Sequence, residues 1–158
     1  MNIGILSIGD EVIGGRIVDT NAAWLSQTLT VAGGTVVARR TVGDDRPLIA
    51  EAIRSMAATC DVLVGTGGLG PTSDDLTRDA VADVIDGGQT VVDSAALADV
   101  EAWCLRRSLP MSEARQRVAI RPPSATLVPN HHGTAPGLNF AIGEVQCWML
   151  PGPPTELQ

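Results

Sequence analysis

Asp61-Val62-Leu63-Val64-Gly65-Thr66-Gly67-Gly68-Leu69-Gly70-Pro71-Thr72-Ser73-Asp74-Asp75 holds the transition on which the fold turns. Asp61 to Val64 is a short apolar, β-branched run that predicts a buried strand. The glycines then interrupt any periodicity, and from about Thr77 a helical register places Ala80, Val81, Val84 and Ile85 on one face until Gly87-Gly88 stops it. The same alternation occurs twice earlier. Ile3 to Ile8 predicts a strand followed by a loop at Gly9-Asp10-Glu11. A helix capped by Asp19 or Thr20 comes next, with Ala22, Leu25, Leu29 and Ala32 in register before Gly33-Gly34. Thr35 to Val42 predicts a second strand, and Asp44-Asp45-Arg46-Pro47 opens a helix carrying Ile49, Ala52, Ile53 and Met56. Parallel neighbours need crossover connections, so three strand–helix units in succession predict an α/β domain with helices on the faces of a parallel sheet.

Downstream, Ser94 to Arg121 predicts mostly helix, broken at Pro110 and ended by Pro122-Pro123, with Leu97, Val100 and Cys104 on one face. Thr126 to Val128, Leu138 to Ile142 and Val145 to Leu150 read as extended, the last two joined by a tight turn at Gly143-Glu144, which makes the sheet mixed at one edge. With 158 residues and no repeat or linker, the chain reads as a single domain, 1–158.

Composition removes several functions. All 11 basic residues are Arg, so there is no lysine for a P-loop, a Schiff base or a kinase strand. A net charge of -7 argues against binding to a phosphate backbone, so no nucleic-acid partner is expected. There is no 18-residue apolar run, hence no membrane partner, and a cytoplasmic location is expected. Cys60, Cys104 and Cys147 fit reduced core thiols. Trp24, Trp103 and Trp148 read as core packing residues in preference to interface anchors.

The glycine stretch resembles a dinucleotide turn through Gly65, Gly67 and Gly70, with Asp93 as a downstream acid, but Pro71 stands where that turn needs helix. Asp74 and Asp75 would also repel a bare pyrophosphate, by about 4 kcal/mol per like-charged pair at 4 Å and an effective dielectric near 20. The residues therefore predict a nest of backbone N–H groups for phosphate beside carboxylates that hold a divalent cation (Mg, Mn or Co). The bland alternative is a loop whose Ser73, Asp74 or Asp75 caps the next helix. Asp10-Glu11 and Asp44-Asp45 also follow strands, so three acidic pairs are expected at the ligand-binding edge of the sheet, with Arg16, Arg46 and Arg78 offsetting part of their charge. Asp45 could simply start a helix, and Asp10-Glu11 could be a solvated loop. His131 and His132 read as a solvated pair, and covalent catalysis is not indicated.

Taken in order, Gly9-Asp10-Glu11-Val12-Ile13-Gly14-Gly15, Asp19-Thr20-Asn21-Ala22, Val42-Gly43-Asp44-Asp45, Thr66 to Thr77, Gly133-Thr134-Ala135-Pro136-Gly137 and Leu150-Pro151-Gly152-Pro153-Pro154-Thr155-Glu156 resemble the amino-terminal domain of the competence/damage-inducible CinA family. The resemblance spans nearly the whole chain. It implies the molybdopterin-binding (MoCF-like) fold, a three-layer α/β/α domain, and a homo-oligomer, dimer or trimer. It also implies a metal-dependent pyrophosphatase acting on ADP-ribose or a related dinucleotide. The alternatives are a protein that binds or adenylylates molybdopterin, and an inactive oligomerising domain. The small-molecule partner is accordingly a nucleotide or a pterin.

By the resemblance, Asp75 and Asp44 are the catalytic choices, and Asp10, Glu11, Asp45 and Asp74 would hold metal. Thr66, Gly67, Gly68, Leu69, Gly70, Thr72, Asn21, Thr77, Gly133, Thr134, Ala135, Pro136 and Gly137 would bind the phosphates or the nucleotide. Family members often carry a carboxy-terminal amidohydrolase domain; none is expected within these residues, nor is a complete last helix after Glu156.

Overall fold

The computed structural model describes residues 1–157. In chain order the elements are β1 (Asn2–Ile8), α1 (Asp10–Ile13), α2 (Thr20–Val31), β2 (Thr35–Val42), α3 (Arg46–Ala57), β3 (Val62–Thr66) and α4 (Thr77–Ile85). Then come β4 (Val91–Val92), α5 (Ser94–Arg106), α6 (Glu113–Arg117), β5 (Ile120–Arg121), β6 (Thr126–Val128), β7 (Gly137–Ile142), β8 (Val145–Leu150) and α7 (Pro154–Leu157). The main sheet runs β2-β1-β3-β8-β7-β6. Its first four strands are parallel, β7 is antiparallel to β8 and β6 is antiparallel to β7, as expected for a mixed edge.

Both faces of β1 are covered, so its residues alternate between two cores. Ile3 and Ile5, with Val64 of β3, pack on Ala22 and Leu25 of α2. Leu6 and Ile8 face the larger cluster, which includes Ile49, Ala52, Ile53 and Met56 of α3 and Ala80 and Val81 of α4. The helix starts follow local chemistry. Asp19 accepts from the Ala22 amide at 2.9 Å to cap α2, and Asp45 accepts from the Leu48 amide at 2.9 Å to cap α3. Pro47 lies in the first turn of α3, where its missing N–H costs nothing.

Several elements differ from expectation. The third strand continues to Thr66, because Gly65 and Thr66 still pair with β1 on one side and β8 on the other. The predicted Gly9-Asp10-Glu11 loop contains one helical turn, closed by Val12 and Ile13 amides donating to the Gly9 carbonyl. Ser94 to Arg121 is helical only in two pieces. Ile120 and Arg121 instead form a small antiparallel ribbon with Val91 and Val92, off the main sheet. Pro122 favours extended backbone at Arg121, whose guanidinium bonds Asp93 at 2.9 Å and the Ala125 carbonyl at 2.8 Å. Trp24 and Trp103 are half-buried against the two cores, whereas Trp148 is exposed. Cys60, Cys104 and Cys147 are free and buried.

Ile53 is fully buried between α3 and the sheet. Ile53→Ala should destabilise the domain by about 2–5 kcal/mol, the range for deleting a large buried aliphatic side chain. In urea unfolding this appears as a lower midpoint with an unchanged slope.

Candidate functional site

The strand order itself makes a cleft. From β1 the chain crosses outward to β2 on one side, and β3 then lies on the other, so a crevice opens at the carboxyl ends of β1 and β3. A cleft of about 670 Å³ lies there, lined by residues following β1, β2, β3 and β8. Asp19 and Asn21 at the start of α2 and Thr134 and Ala135 of a distant loop complete it.

The glycine loop is held from behind by Thr77, which is fully buried. Its hydroxyl donates to the Gly67 carbonyl at 2.8 Å and its amide donates to the Gly68 carbonyl at 3.1 Å. In a trans peptide the N–H points opposite to the C=O, so these two bonds turn the Gly68 and Leu69 amides away from Thr77. Neither amide meets a protein acceptor among the described residues. Gly67 and Gly68 have φ of 103° and 66°, and a Cβ on them would run into the Ile8 carbonyl and the Thr77 hydroxyl, so this backbone path requires glycine. Other loop amides are used: Gly67 donates to the Leu150 carbonyl, while Gly70 and Thr72 donate to the Asp75 carboxylate, each at 2.8 Å.

Asp75 is therefore the clasp of the loop. Besides those two amides it accepts the Thr72 hydroxyl at 2.6 Å, so three bonds engage its two oxygens. Neither Asp74 nor Asp75 caps α4, whose N-cap is Leu76 with no side-chain hydrogen bond. Arg78 is buried and donates to the Leu69 and Gly70 carbonyls, which pins the loop from below. Burial lowers its pKa to about 10, with Asp75 pulling the other way, and it remains a cation at neutral pH.

Asp10 and Asp44 hold each other through backbone. The Asp10 amide donates to Asp44 Oδ2 and the Asp44 amide to Asp10 Oδ1, both at 3.0 Å, which ties the ends of β1 and β2 together. Burial pushes the Asp44 carboxyl above the ordinary aspartate range. The Asp10 amide opposes this, and the charges of Asp10, Glu11 and Asp75 add to it. A cleft carboxylate shifted by desolvation and like charge is a candidate for proton transfer.

The predicted site residues thus separate. Glu11, Asn21, Asp44, Thr66 to Gly70, Thr72, Asp74, Asp75, Thr134 and Ala135 line the cleft. Asp10 and Asp45 do not: Asp10 accepts the Asp44 amide, and Asp45 caps α3. Thr77 acts behind the loop, Gly137 pairs within β7, and Gly133 and Pro136 face a second cleft. The six carboxylates of the three pairs do not converge. Among the described residues no three His, Cys, Asp or Glu side chains are arranged to hold a metal ion by themselves. None of the three arginines expected to offset their charge lines the cleft; Arg46 instead forms a two-pronged bond to Asp83, at 2.6 and 2.7 Å.

Sequence reasoning gives no site role to Ser7, Asp19, Pro151–Pro154 or Glu156, yet all line the cleft. Ser7 donates to Asp19 at 2.5 Å, and Asn21 donates to the Gly152 carbonyl at 2.7 Å, so helix α2 and the segment after β8 meet at the cleft wall. The signal for the last segment is its Pro-Gly-x-Pro run directly after a strand that ends at the same sheet edge as β1 and β3.

Comparison with known proteins shows the family and the fold. Residues 4–158 match the family described as "probable molybdopterin binding domain". The chain is 40% identical over 158 residues to a CinA-like protein of Citrifermentans bemidjiense, covering 100% of this chain and 38% of that protein. It is 42% identical over 157 residues to a CinA-like protein of Geotalea uraniireducens, covering 99% of this chain and 37% of that one. Thus the chain spans less than two-fifths of the length of these relatives. The solved structure of CinA from Thermoplasma acidophilum superposes with a TM-score of 0.91 at 36% identity, covering 99% of this chain and 90% of that chain. MoaB from Thermus thermophilus, a molybdopterin biosynthesis enzyme, shares the fold with a TM-score of 0.64 at 23% identity, covering 99% and 84%. The chain belongs to the molybdopterin-binding domain family, as a CinA-like member.

Proposed function

We propose that this domain is a metal-dependent pyrophosphatase that hydrolyses ADP-ribose or a related dinucleotide. One observation carries the reading: Gly68 and Leu69, whose amides meet no protein acceptor among the described residues, line a cleft together with Glu11, Asp44, Asp74 and Asp75, with no arginine or histidine among its lining residues. Amides there suit an anion, and the carboxylates admit an anion only together with cations. A hard cation that keeps several waters and takes its other ligands from one or two carboxylates and the substrate phosphates fits this donor set; a cage built by protein alone does not. When bound, such an ion neutralises and polarises the phosphates. The choice of ADP-ribose within the diphosphate class follows the family resemblance.

The residues of the chain have separate tasks in this mechanism. Gly68 and Leu69 amides hold a phosphate oxygen, and Thr77, Asp75 and Arg78 keep them in place. Glu11 and Asp74, which line the same cleft, would hold the ion. Asp44 takes the proton as water adds to phosphorus, and the bridging P–O bond breaks to release AMP and ribose 5-phosphate. A carboxylate raised by burial is a stronger base than an ordinary aspartate, which favours this proton transfer. The family's description favours a second reading, in which the same cleft holds a pterin phosphate without cleavage.

Chromatography of ADP-ribose incubated with the chain should show AMP with Mg²⁺, Mn²⁺ or Co²⁺ and none with chelator. Asp44→Asn should lower the rate by about 10²–10⁴, the usual worth of a general base. Absence of AMP with all three ions would overturn the hydrolase reading, and a pterin titration would then test the second.

Asp44→Asn also has a stability signature. A carboxylate held above its ordinary value disfavours the charged folded state. This penalty is full at neutral pH, is relieved as pH falls through the raised value, and is absent below 3.8. The variant should therefore have the higher urea midpoint at pH 7, with the gap closing as the pH falls through the raised value and gone below 3.8. Thr77→Val strands the Gly67 carbonyl and should cost about 1–3 kcal/mol. It should also raise KM for the diphosphate substrate, whereas Thr77→Ser should retain both stability and KM.

A further inference from the structure

A second cleft, of about 630 Å³, lies beside the first and shares Thr134 with it. Its composition is the reverse. Arg106, Arg107, His131 and His132 line it, against a single carboxylate, Asp99. In a chain of net charge -7 with 11 arginines and two histidines, both histidines and two adjacent arginines meet at one place. Most of the other arginines are committed: Arg40, Arg46, Arg117 and Arg121 pair with carboxylates, and Arg54, Arg78 and Arg115 bond carbonyls. Among the described residues, Arg106 and Arg107 have no carboxylate or carbonyl partner.

The cationic wall is also held in shape. The Arg107 guanidinium lies over the Trp103 ring, 4.3 Å from its centroid, and Trp103 packs its other contacts against the larger core. This stacking favours one placement of the exposed group before any ligand arrives. On the opposite wall, Asn130 folds the histidine loop. Its Oδ1 accepts the His132 and Gly133 amides at 3.0 and 2.9 Å, while its Nδ2 donates to the Ala135 carbonyl at 3.0 Å and to Glu156 at 2.7 Å. Those bonds engage the His132 and Gly133 amides and the Ala135 carbonyl, and both histidines line the cleft, His131 partly buried and His132 exposed.

We infer that this second cleft is an anion site for a phosphomonoester. Two guanidiniums and two imidazoles lining one cleft match a compact dianion, since charge-assisted donors favour phosphate and the forked guanidinium fits its oxygens. A long polyanion does not fit, because carboxylates line the neighbouring cleft. The site goes beyond the hydrolase reading and does not require turnover. If that reading holds, a phosphomonoester is also what the neighbouring cleft releases.

The test is an NMR titration of the intact chain with inorganic phosphate and with AMP, in chelator so that no cation bridges phosphate to the first cleft. Adenosine serves as the uncharged control. Both anions should saturably shift the Trp103 indole N–H and the His132 and Gly133 amides, and adenosine should not. Arg106→Gln and Arg107→Gln should each weaken AMP binding by about tenfold, which corresponds to about 1.4 kcal/mol. Asp74→Asn, in the first cleft, should leave this binding in place. Equal shifts with adenosine, shifts confined to Gly68 and Leu69, or unchanged affinity in both arginine variants would each overturn the anion site. None of these readouts depends on ADP-ribose cleavage, so the two proposals can fail separately.

Discussion

Parallel strands cannot be joined by a short turn, and most of this molecule follows from that constraint. Each return to the same end of the sheet needs a helix, the helices cover both faces, and β1 becomes apolar on both sides. All the parallel strands then deliver their carboxyl ends to one edge. Because the crossovers from β1 go to β2 and then back past it to β3, that edge is split, and the split is the cleft. The acidic pairs after β1, β2 and β3 lie near one another because the connectivity leaves them nowhere else to go.

Within that frame, short hydrogen-bonded devices decide what each acidic residue does. Asp45 and Asp19 spend their oxygens on helix starts, Asp75 on the glycine loop, and Asp10 on the amide of Asp44. Those left facing the cleft with few protein partners are Glu11, Asp44 and Asp74. Charge differs between the neighbouring clefts: Glu11, Asp44, Asp74 and Asp75 line one, and Arg106, Arg107 and both histidines line the next, with Thr134 shared between them.

What could be read from sequence follows the range of the signal. Helices with local caps, such as α2 and α3, and the hairpin at Gly143-Glu144 are specified by residues within a few positions of one another. The ribbon of β4 and β5 was hidden because two exposed valines have no periodicity and their partners lie about thirty residues away. At the site, the glycine loop and most of its lining residues were legible from order along the chain. The division of labour was not, since a carboxylate's role depends on which amide it meets. Thr77 illustrates this: its position after the acidic pair suggests a ligand contact, yet a buried hydroxyl behind the loop works through the peptides it orients. The second cleft pairs α5 with a loop that begins some twenty residues after its end, and no local pattern announces it.

Strand β8 is the last in sequence but fourth across the sheet, inserted between β3 and β7. Gly67 depends on its Leu150 carbonyl, and Asn21 depends on Gly152 just beyond it. During synthesis, β3 therefore waits with an open edge while about eighty residues emerge, and the glycine loop has no wall on that side. Open parallel edges assembled through distant contacts fold slowly and expose strands to wrong partners. Chaperone demand for this domain should thus centre on the interval before β8 arrives, and closure of the sheet and completion of the cleft are one event.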